Sequence, residues 1–279
     1  MAKPSTALTP PALPPRVTDF LTAYEASALA SAPDTPSYPD LSPAVTRLTS
    51  CSSPFPYGTI DGLLPDDLYD GITRHWPADP HLDAVTLTGP SGAPARYIGS
   101  RKTKFVDTTP HDRPATVQET IWKKTALALR DPRLVRALFQ RYADTVEANL
   151  RALAQGSPGT PGFRLYLNQD AGAKEALGAH IDALRKILTI VIYIDLRGPV
   201  TDDSSRCWGT ALYDSEPGTI KPLEFSSNAD HRPVTHVMFA PNRAFVMPNA
   251  PRSLHGVAGG QPGVVRRTLM CGYWLSSAG

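Results

Sequence analysis

The sequence predicts an α+β fold in which helices come first and strands follow. Up to Gly156, apolar residues recur at three- and four-residue spacing, which is typical of amphipathic helices. From Phe163 onward, short apolar and β-branched runs alternate with turns rich in Gly, Pro and Asn, which is typical of strands. Residues 187–194 are apolar on both faces and therefore belong inside a packed structure. Helices followed by a run of strands favour α+β over an alternating α/β fold.

Length and composition indicate one large domain. A chain of 279 residues can bury a sizeable core, and its hydrophobic content of 41% is ordinary for a globular protein. Residues 1–15 are rich in Pro and carry little to bury, so we predict a disordered tail there. Residues 16–279 then form the single domain, with helical support over 16–160 and the strand-rich part over 161–279.

Charge and cysteine content exclude several classes of protein. The formal net charge of +2 gives no electrostatic case for a nucleic acid or an anionic membrane as partner. Cys51, Cys207 and Cys271 are too few and too scattered for a disulfide framework, which favours a reducing compartment. No apolar run approaches the roughly 18 residues of a membrane span, and no secretory leader is evident. We therefore expect a cytoplasmic protein.

The first half of the chain predicts amphipathic helices over residues 17–32, 64–76, 116–130 and 132–155. Thr116 and Glu119 have the spacing of a capping box, and Gly156 is a typical helix end. We expect residues 31–56, which are rich in Pro and Ser, to be irregular. The basic segment of residues 96–106 holds Arg96, Arg101, Lys102 and Lys104. We favour a solvated strand edge there over the alternative, a patch that faces an anionic substrate.

The second half predicts seven strands, over residues 163–168, 187–194, 207–213, 235–240, 244–247, 253–257 and 264–275. Strand alternation places Arg266 and Thr268 on one face of the last strand and Arg267 on the other. Long loops over residues 197–206 and 214–233 are candidates to cover a site. Four side chains on these elements, those of Trp208, Tyr213, Arg243 and Arg252, are expected around the mouth of that site.

The sequence His180-Ile-Asp182 carries the chemistry of the chain. On a strand, residues i and i+2 point to the same side, so this motif aims an imidazole and a carboxylate at one point. Alone, the pair reads better as a turn and a solvated charge. With a second His it forms the 2-His-1-carboxylate triad that binds non-haem Fe(II). His231 and His236 are candidates for that second His, but we favour His255.

A strand that bears an arginine follows His255, and this order of motifs is informative. The order of the motifs along the chain is an HxD motif, a long gap, a His and then Arg266. This order resembles that of the iron(II)/2-oxoglutarate-dependent dioxygenases, including their prolyl-hydroxylase-like and phytanoyl-hydroxylase-like members. The resemblance spans roughly residues 56–275. It implies a double-stranded β-helix, the jelly-roll of the cupins, backed by the N-terminal helices.

The resemblance also implies a ligand set. His180, Asp182 and His255 would bind Fe(II) and serve as the catalytic centre. Arg266 would pair with the distal carboxylate of 2-oxoglutarate, with Thr268 and Tyr166 as further contacts of this cosubstrate. Arg267 is the alternative to Arg266 if the strand is aligned on its aromatic end. Arg suits such a role because its planar fork binds a carboxylate bidentately and stays charged. O2 is the second cosubstrate, and the resemblance also allows ascorbate as an accessory reductant.

The expected activity is hydroxylation of an unactivated C–H bond, with release of succinate and CO2. Family members that halogenate have a small residue at the carboxylate position, whereas this chain keeps Asp182; desaturation, epoxidation and cyclisation stay open. We expect a small polar substrate, such as an amino acid or an intermediate of natural-product biosynthesis, and a monomer or homodimer. The alternatives are a peptidyl (prolyl-type) hydroxylase, a metal-dependent isomerase or non-2-oxoglutarate oxygenase on a similar barrel, and a non-catalytic cupin-like binding protein.

Overall fold

The computed structural model describes residues 12–30, 37–84, 100–106, 116–154, 159–172, 175–216, 218 and 220–277. Most of the predicted tail, residues 1–11, lies outside this description. The described chain folds into two antiparallel sheets with helices against the larger one. This arrangement confirms the predicted α+β class and the jelly-roll core.

The helices of the described chain are α1 (Pro15–Ala30), α2 (Asp66–Arg74), α3 (Val117–Arg130), α4 (Pro132–Arg141), α5 (Ala143–Leu153) and the single turn α6 (Ser204–Cys207). The predicted capping box begins α3: the Thr116 hydroxyl accepts from the Glu119 backbone N–H, and the Glu119 carboxylate accepts from the Thr116 N–H. Asp131 caps α4 in a similar way by accepting from the Arg133 N–H, with Pro132 at the first helical position.

The strands of the described chain are β1 (Thr49–Cys51), β2 (Tyr57–Asp61), β3 (Asp83–Ala84), β4 (Ser100–Phe105), β5 (Gly159–Ala171), β6 (Glu175–His180), β7 (Lys186–Arg197), β8 (Thr210–Tyr213), β9 (Phe225–Ser226), β10 (Pro233–Val237), β11 (Arg243–Pro248), β12 (His255–Gly259) and β13 (Val265–Ser277). The larger sheet has the order β1-β2-β11-β7-β13-β5-β4-β3, and the smaller one β10-β8-β12-β6-β9. The longest ladders join β13 to β5 and to β7, so these three strands form the centre of the larger sheet.

The main core lies between the larger sheet and the helices. Helices α1 and α5 pack on β5 and β7, and their apolar faces meet the outer face of the sheet. Phe20, Phe139 and Tyr273 form a cluster of rings there, with Phe139 edge-on to Tyr273. Because this side of the sheet is covered, the opposite side, which faces the smaller sheet, is left to form a site.

Three predictions of local structure were wrong. The helix expected over residues 132–155 is two helices, because Tyr142 leaves helical geometry (φ −122°, ψ 25°) while both helices keep their apolar sides on the same core. The segment 31–56 is not wholly irregular, since it contains a 3-10 turn at Ser42–Arg47 and strand β1. Cys207 ends helix α6 instead of starting a strand. Among the described residues, no helix is both long and apolar enough to cross a bilayer.

Candidate metal centre and cosubstrate cavity

His180, Asp182 and His255 converge on one point. Strand β6 ends at His180 and β12 begins at His255, and the two residues face each other across this ladder. Their candidate ligand atoms and a carboxylate oxygen of Asp182 all lie within 4.8 Å of one another. Asp182 lies beyond the end of β6, but buried Ile181 bridges to Pro222 and continues the strand alternation for two more residues. The predicted i, i+2 geometry therefore holds without a regular strand at Asp182.

Both imidazoles are oriented by backbone carbonyls. Nδ1 of His180 lies 2.9 Å from the oxygen of Gly178, and Nδ1 of His255 lies 2.9 Å from that of Ser253. A carbonyl oxygen can only accept, so each Nδ1 carries the proton and each Nε2 has its lone pair free. Burial lowers the pKa of His180 to about 3, with a further contribution from His255, and burial likewise lowers the pKa of His255. Two neutral imidazoles with free Nε2 atoms are the form that binds a metal.

The carboxylate of Asp182 is held from its other side. Its Oδ2 accepts from Lys186 Nζ at 2.9 Å and from the Thr189 hydroxyl at 3.0 Å, while Oδ1 lies 3.8 Å from His180 Nε2. Burial alone would raise the pKa of Asp182, but the positive charge of Lys186, which also donates a hydrogen bond to this carboxylate, outweighs it and lowers that pKa. One oxygen of an ionised carboxylate is thus left facing the imidazoles.

A cavity of about 290 Å³ opens on this cluster between the two sheets. Its wall includes all six residues predicted from the sequence: His180, Asp182, His255, Arg266, Thr268 and Tyr166. The ladder between β13 and β5 explains the grouping, because Arg266 lies opposite Asp170, Thr268 opposite Asn168 and Met270 opposite Tyr166. These cross-strand pairs share the inner face of the larger sheet.

The two neighbouring arginines of β13 point to opposite sides. Arg266 lines the cavity with only 2% of its surface exposed, and its guanidinium lies 5.3 Å from the centre of the Tyr193 ring. Arg267 lies over Trp76 on the other face and is 3.6 Å from the carboxylate of Asp195. The structure thus agrees with the predicted alternation of these two residues.

Known structures share this architecture. A prolyl hydroxylase from Trichoplax adhaerens, solved with a hypoxia inducible factor peptide fragment, matches 84% of this chain and 89% of its own with a TM-score of 0.52 at 13% identity. The fold is that of a prolyl hydroxylase. A prolyl-4-hydroxylase from Pseudomonas putida (TM-score 0.47, 14% identity, 85% of this chain and 100% of its own) is also similar. So is an oxidoreductase of the 2OG-Fe(II) oxygenase family from Burkholderia pseudomallei (TM-score 0.45, 13% identity, 88% and 98%).

Comparisons of sequence gave nothing further. No protein-family model matches the chain, and no curated protein matches it. At 13% identity, the likeness to the Trichoplax prolyl hydroxylase establishes the shared fold.

A buried ion cluster next to Arg266 was not expected from the sequence. Asp170, with no exposed surface, accepts from Arg101 Nε at 2.6 Å and Nη2 at 2.9 Å, and from Arg266 Nη1 at 2.8 Å. Burial would raise the pKa of Asp170, but the two guanidinium groups outweigh it and lower that pKa. The Nε of Arg266 is buried and has no hydrogen-bond partner within the described chain. Of the basic residues of segment 96–106 that the structure describes, Arg101, Lys102 and Lys104, it is Arg101 that lines the cavity; Arg96 lies outside the described residues.

Four side chains expected at the mouth of the site lie elsewhere. Trp208 is fully buried and its indole N–H donates to Gln261, and Tyr213 donates to Asn228. Arg243 pairs with Asp61, and Arg252 with Asp214. None of the four lines the cavity that contains His180, Asp182 and His255. The expectation was wrong because it came from positions along the strands, whereas ion pairs and packing turn these side chains away.

The alternative histidines also lie apart from the cluster. His231 shares a hydrogen bond of 2.6 Å with the Ser226 hydroxyl, and His236 lies on β10 at the far edge of the smaller sheet. In the part of the chain that the structure describes, His255 is the histidine that joins His180 and Asp182. Lys186, four residues after Asp182, was missed because the sequence offers only this spacing as a signal.

Proposed function

We propose that the protein is an Fe(II)- and 2-oxoglutarate-dependent dioxygenase that hydroxylates an unactivated C–H bond of a small polar molecule and releases succinate and CO2. The observation that carries the proposal is the placement of His180, Asp182 and His255 in one cavity with the buried cation of Arg266. The fold, which is that of a prolyl hydroxylase, supports it.

The donor set fits a divalent transition metal. Two neutral imidazoles and one ionised carboxylate on one side of an ion leave its remaining positions open, as in non-haem iron oxygenases. The backbone carbonyls that accept from Nδ1 of His180 and His255 would fix both ring orientations and raise ligand basicity. Lys186 and Thr189 would hold Asp182 so that one oxygen stays directed at the metal. Bound Fe(II) and 2-oxoglutarate would together supply the oxidising chemistry.

The charges around Arg266 suit an anionic cosubstrate. Arg101 and Arg266 share the single carboxylate of Asp170, so this cluster keeps one uncompensated positive charge. A buried charge of this kind is costly unless it is paired, and the orphaned Nε of Arg266 marks a donor without an acceptor. Arg266 would bind the distal carboxylate of 2-oxoglutarate, with the hydroxyl groups of Thr268 and Tyr166 as further contacts. Asp170 would orient both arginines.

The cysteines bear on the compartment that we propose. Cys51, Cys207 and Cys271 are all free thiols. Free thiols, one of them exposed, fit a reducing cytoplasm.

A substrate screen that follows succinate tests the proposal. The purified chain with Fe(II), 2-oxoglutarate and ascorbate is offered amino acids and small organic acids in one arm and proline-containing peptides in another. The peptide arm is included because the Trichoplax prolyl hydroxylase was solved with a peptide. We expect substrate-dependent succinate in the small-molecule arm that disappears in His180→Ala. Succinate only with peptides would favour a peptidyl hydroxylase, and none in any arm would favour a non-catalytic binding protein.

A further inference from the structure

The cavity beside His180, Asp182 and His255 adjoins a second space of about 430 Å³. Ala183, Leu223 and Trp274 line both spaces, so the two are direct neighbours. Arg164 and Arg185 line the second space only. We call this second space the cationic groove and define it by Arg164, Arg185 and Trp274.

The groove is positively charged and has no acidic residue in its described wall. Neither Arg164 nor Arg185 forms an ion pair with a carboxylate that the structure describes. Arg185 is nonetheless fixed in place, because its Nη1 donates to the backbone oxygen of Leu275 at 3.1 Å. The chain's other arginines near the site, Arg101 and Arg266, are both paired with Asp170. Arg164 and Arg185 therefore keep their charge available to a ligand.

The Trp274 ring lines both the groove and the cavity that contains His180, Asp182 and His255. The guanidinium of Arg164 lies 4.9 Å from the centre of its ring, and Lys186 Nζ lies 6.0 Å from it. Stacking on an aromatic ring orients a guanidinium and leaves the N–H groups at its edge free to donate. The indole N–H is buried and has no hydrogen-bond partner among the described residues. An anionic acceptor in the groove would pair with the free guanidinium edge of Arg164.

We propose that the cationic groove binds an anionic group of the primary substrate, a carboxylate or a phosphate. The carbon to be oxidised then extends past Trp274 to His180, Asp182 and His255. This inference rests on the proposed function and narrows its substrate class from small polar molecules to small organic anions. The groove is separate from the place assigned to the cosubstrate, because Arg266 and Thr268 do not line it.

A matched pair of probes, 3-phenylpropionate and its neutral amide, tests the proposal by titration calorimetry. Phenyl phosphate is a third probe. The full chain is saturated with Zn(II), which does not support turnover, and with 2-oxoglutarate, and both bindings are measured first. We expect the carboxylate to bind about tenfold more tightly than the amide, which is about 1.4 kcal/mol. Whichever anion binds more tightly, phenyl phosphate or the carboxylate, identifies the chemical group that the groove prefers.

Three variants localise the effect. Arg164→Gln and Arg185→Gln should each reduce the preference for the anion several-fold without changing the affinity for 2-oxoglutarate. Arg74→Gln, which removes an exposed positive charge at the end of α2, should leave the preference intact. Equal affinity for carboxylate and amide, no binding of either, or an unchanged preference in both groove variants would overturn the inference.

The test of the cationic groove can be read independently of the test of the proposed function. The titrations are repeated without Zn(II) and 2-oxoglutarate, so the groove is tested even where these two do not bind. Failure to bind metal and cosubstrate contradicts the proposed dioxygenase, whereas loss of the preference for the anion contradicts only the assignment of the groove.

Discussion

Replacing Asp170 with asparagine should be among the most destabilising single changes in this chain. The carboxylate has no exposed surface and accepts three hydrogen bonds from Arg101 and Arg266, whose side chains are 10% and 2% exposed. The asparagine side chain would be neutral and would leave two buried guanidinium groups without a counter-charge. Removal of one partner from a buried ion pair costs about 3–5 kcal/mol. A typical domain has a total stability of about 5–15 kcal/mol, so the loss is a large fraction of it.

Urea unfolding of Asp170→Asn at neutral pH measures this loss. The pKa of Asp170 is lowered in the folded chain, so its stabilising effect is complete above the unfolded pKa of about 4 and disappears only as the pH falls through the folded value. Measurement near pH 7 therefore captures the whole effect. The matched control is Asp195→Asn, which removes a carboxylate that also pairs with arginines but is 18% exposed, with one partner, Arg197, 52% exposed.

The control should lose less than Asp170→Asn does, because Asp195 and its partner Arg197 are partly exposed and exposed ion pairs contribute little. If Asp170→Asn loses no more than Asp195→Asn does, the buried ion cluster of Asp170, Arg101 and Arg266 does not stabilise the fold as its burial predicts. A larger loss of unfolding free energy in Asp195→Asn than in Asp170→Asn would equally contradict a stabilising role for the buried ion cluster.

Three further predictions, two of them with a matched control variant, concern neighbouring parts of the chain. Arg266→Leu should raise the 2-oxoglutarate concentration required for turnover by tenfold or more, since truncation of a desolvated charge pair costs about 2–5 kcal/mol. Arg267→Leu should change mainly stability. A titration of 2-oxoglutarate against both variants decides, and the opposite ranking would contradict the assignment of Arg266. Asp182→Gly should abolish hydroxylation, measured as succinate release, and retained wild-type activity would exclude Asp182 as a ligand. Gly272→Ala should destabilise the fold by about 1–3 kcal/mol, measured by urea unfolding, because its Cβ would lie 2.8 Å from Cε of the buried Lys186 side chain. Gly162→Ala, where nothing lies within 4 Å, should be neutral or stabilising by up to about 1 kcal/mol, and equal effects of the two would contradict the packing argument.

The arrangement of the triad was predictable from the sequence because strand periodicity is local. His180 and Asp182 are two residues apart, and Arg266 and Arg267 are neighbours on one strand, so alternation places the first two on one side and the second two on opposite sides. Which of the two arginines faces the cavity was not fixed by alternation. The family resemblance supplied the fold and the choice of His255, and the ladder between β6 and β12 brings that residue opposite His180.

The supporting contacts were not predictable because they join distant parts of the chain. Asp170 meets Arg101 and Arg266 only through the register of β5 with β4 and with β13, and a register is not visible in one sequence. The break at Tyr142 was hidden for a related reason. Helices α4 and α5 bury the same core, so the apolar spacing runs on through the residue that interrupts them.

The central claim, a metal site built from His180, Asp182 and His255, is tested most directly by anaerobic addition of Fe(II) and 2-oxoglutarate. The wild-type chain should give a weak visible charge-transfer absorption, and so should His236→Ala, which changes a histidine outside the cavity. His255→Ala should lose the band while its far-ultraviolet circular dichroism stays that of the folded chain. A band that persists in His255→Ala and disappears in His236→Ala would contradict the account.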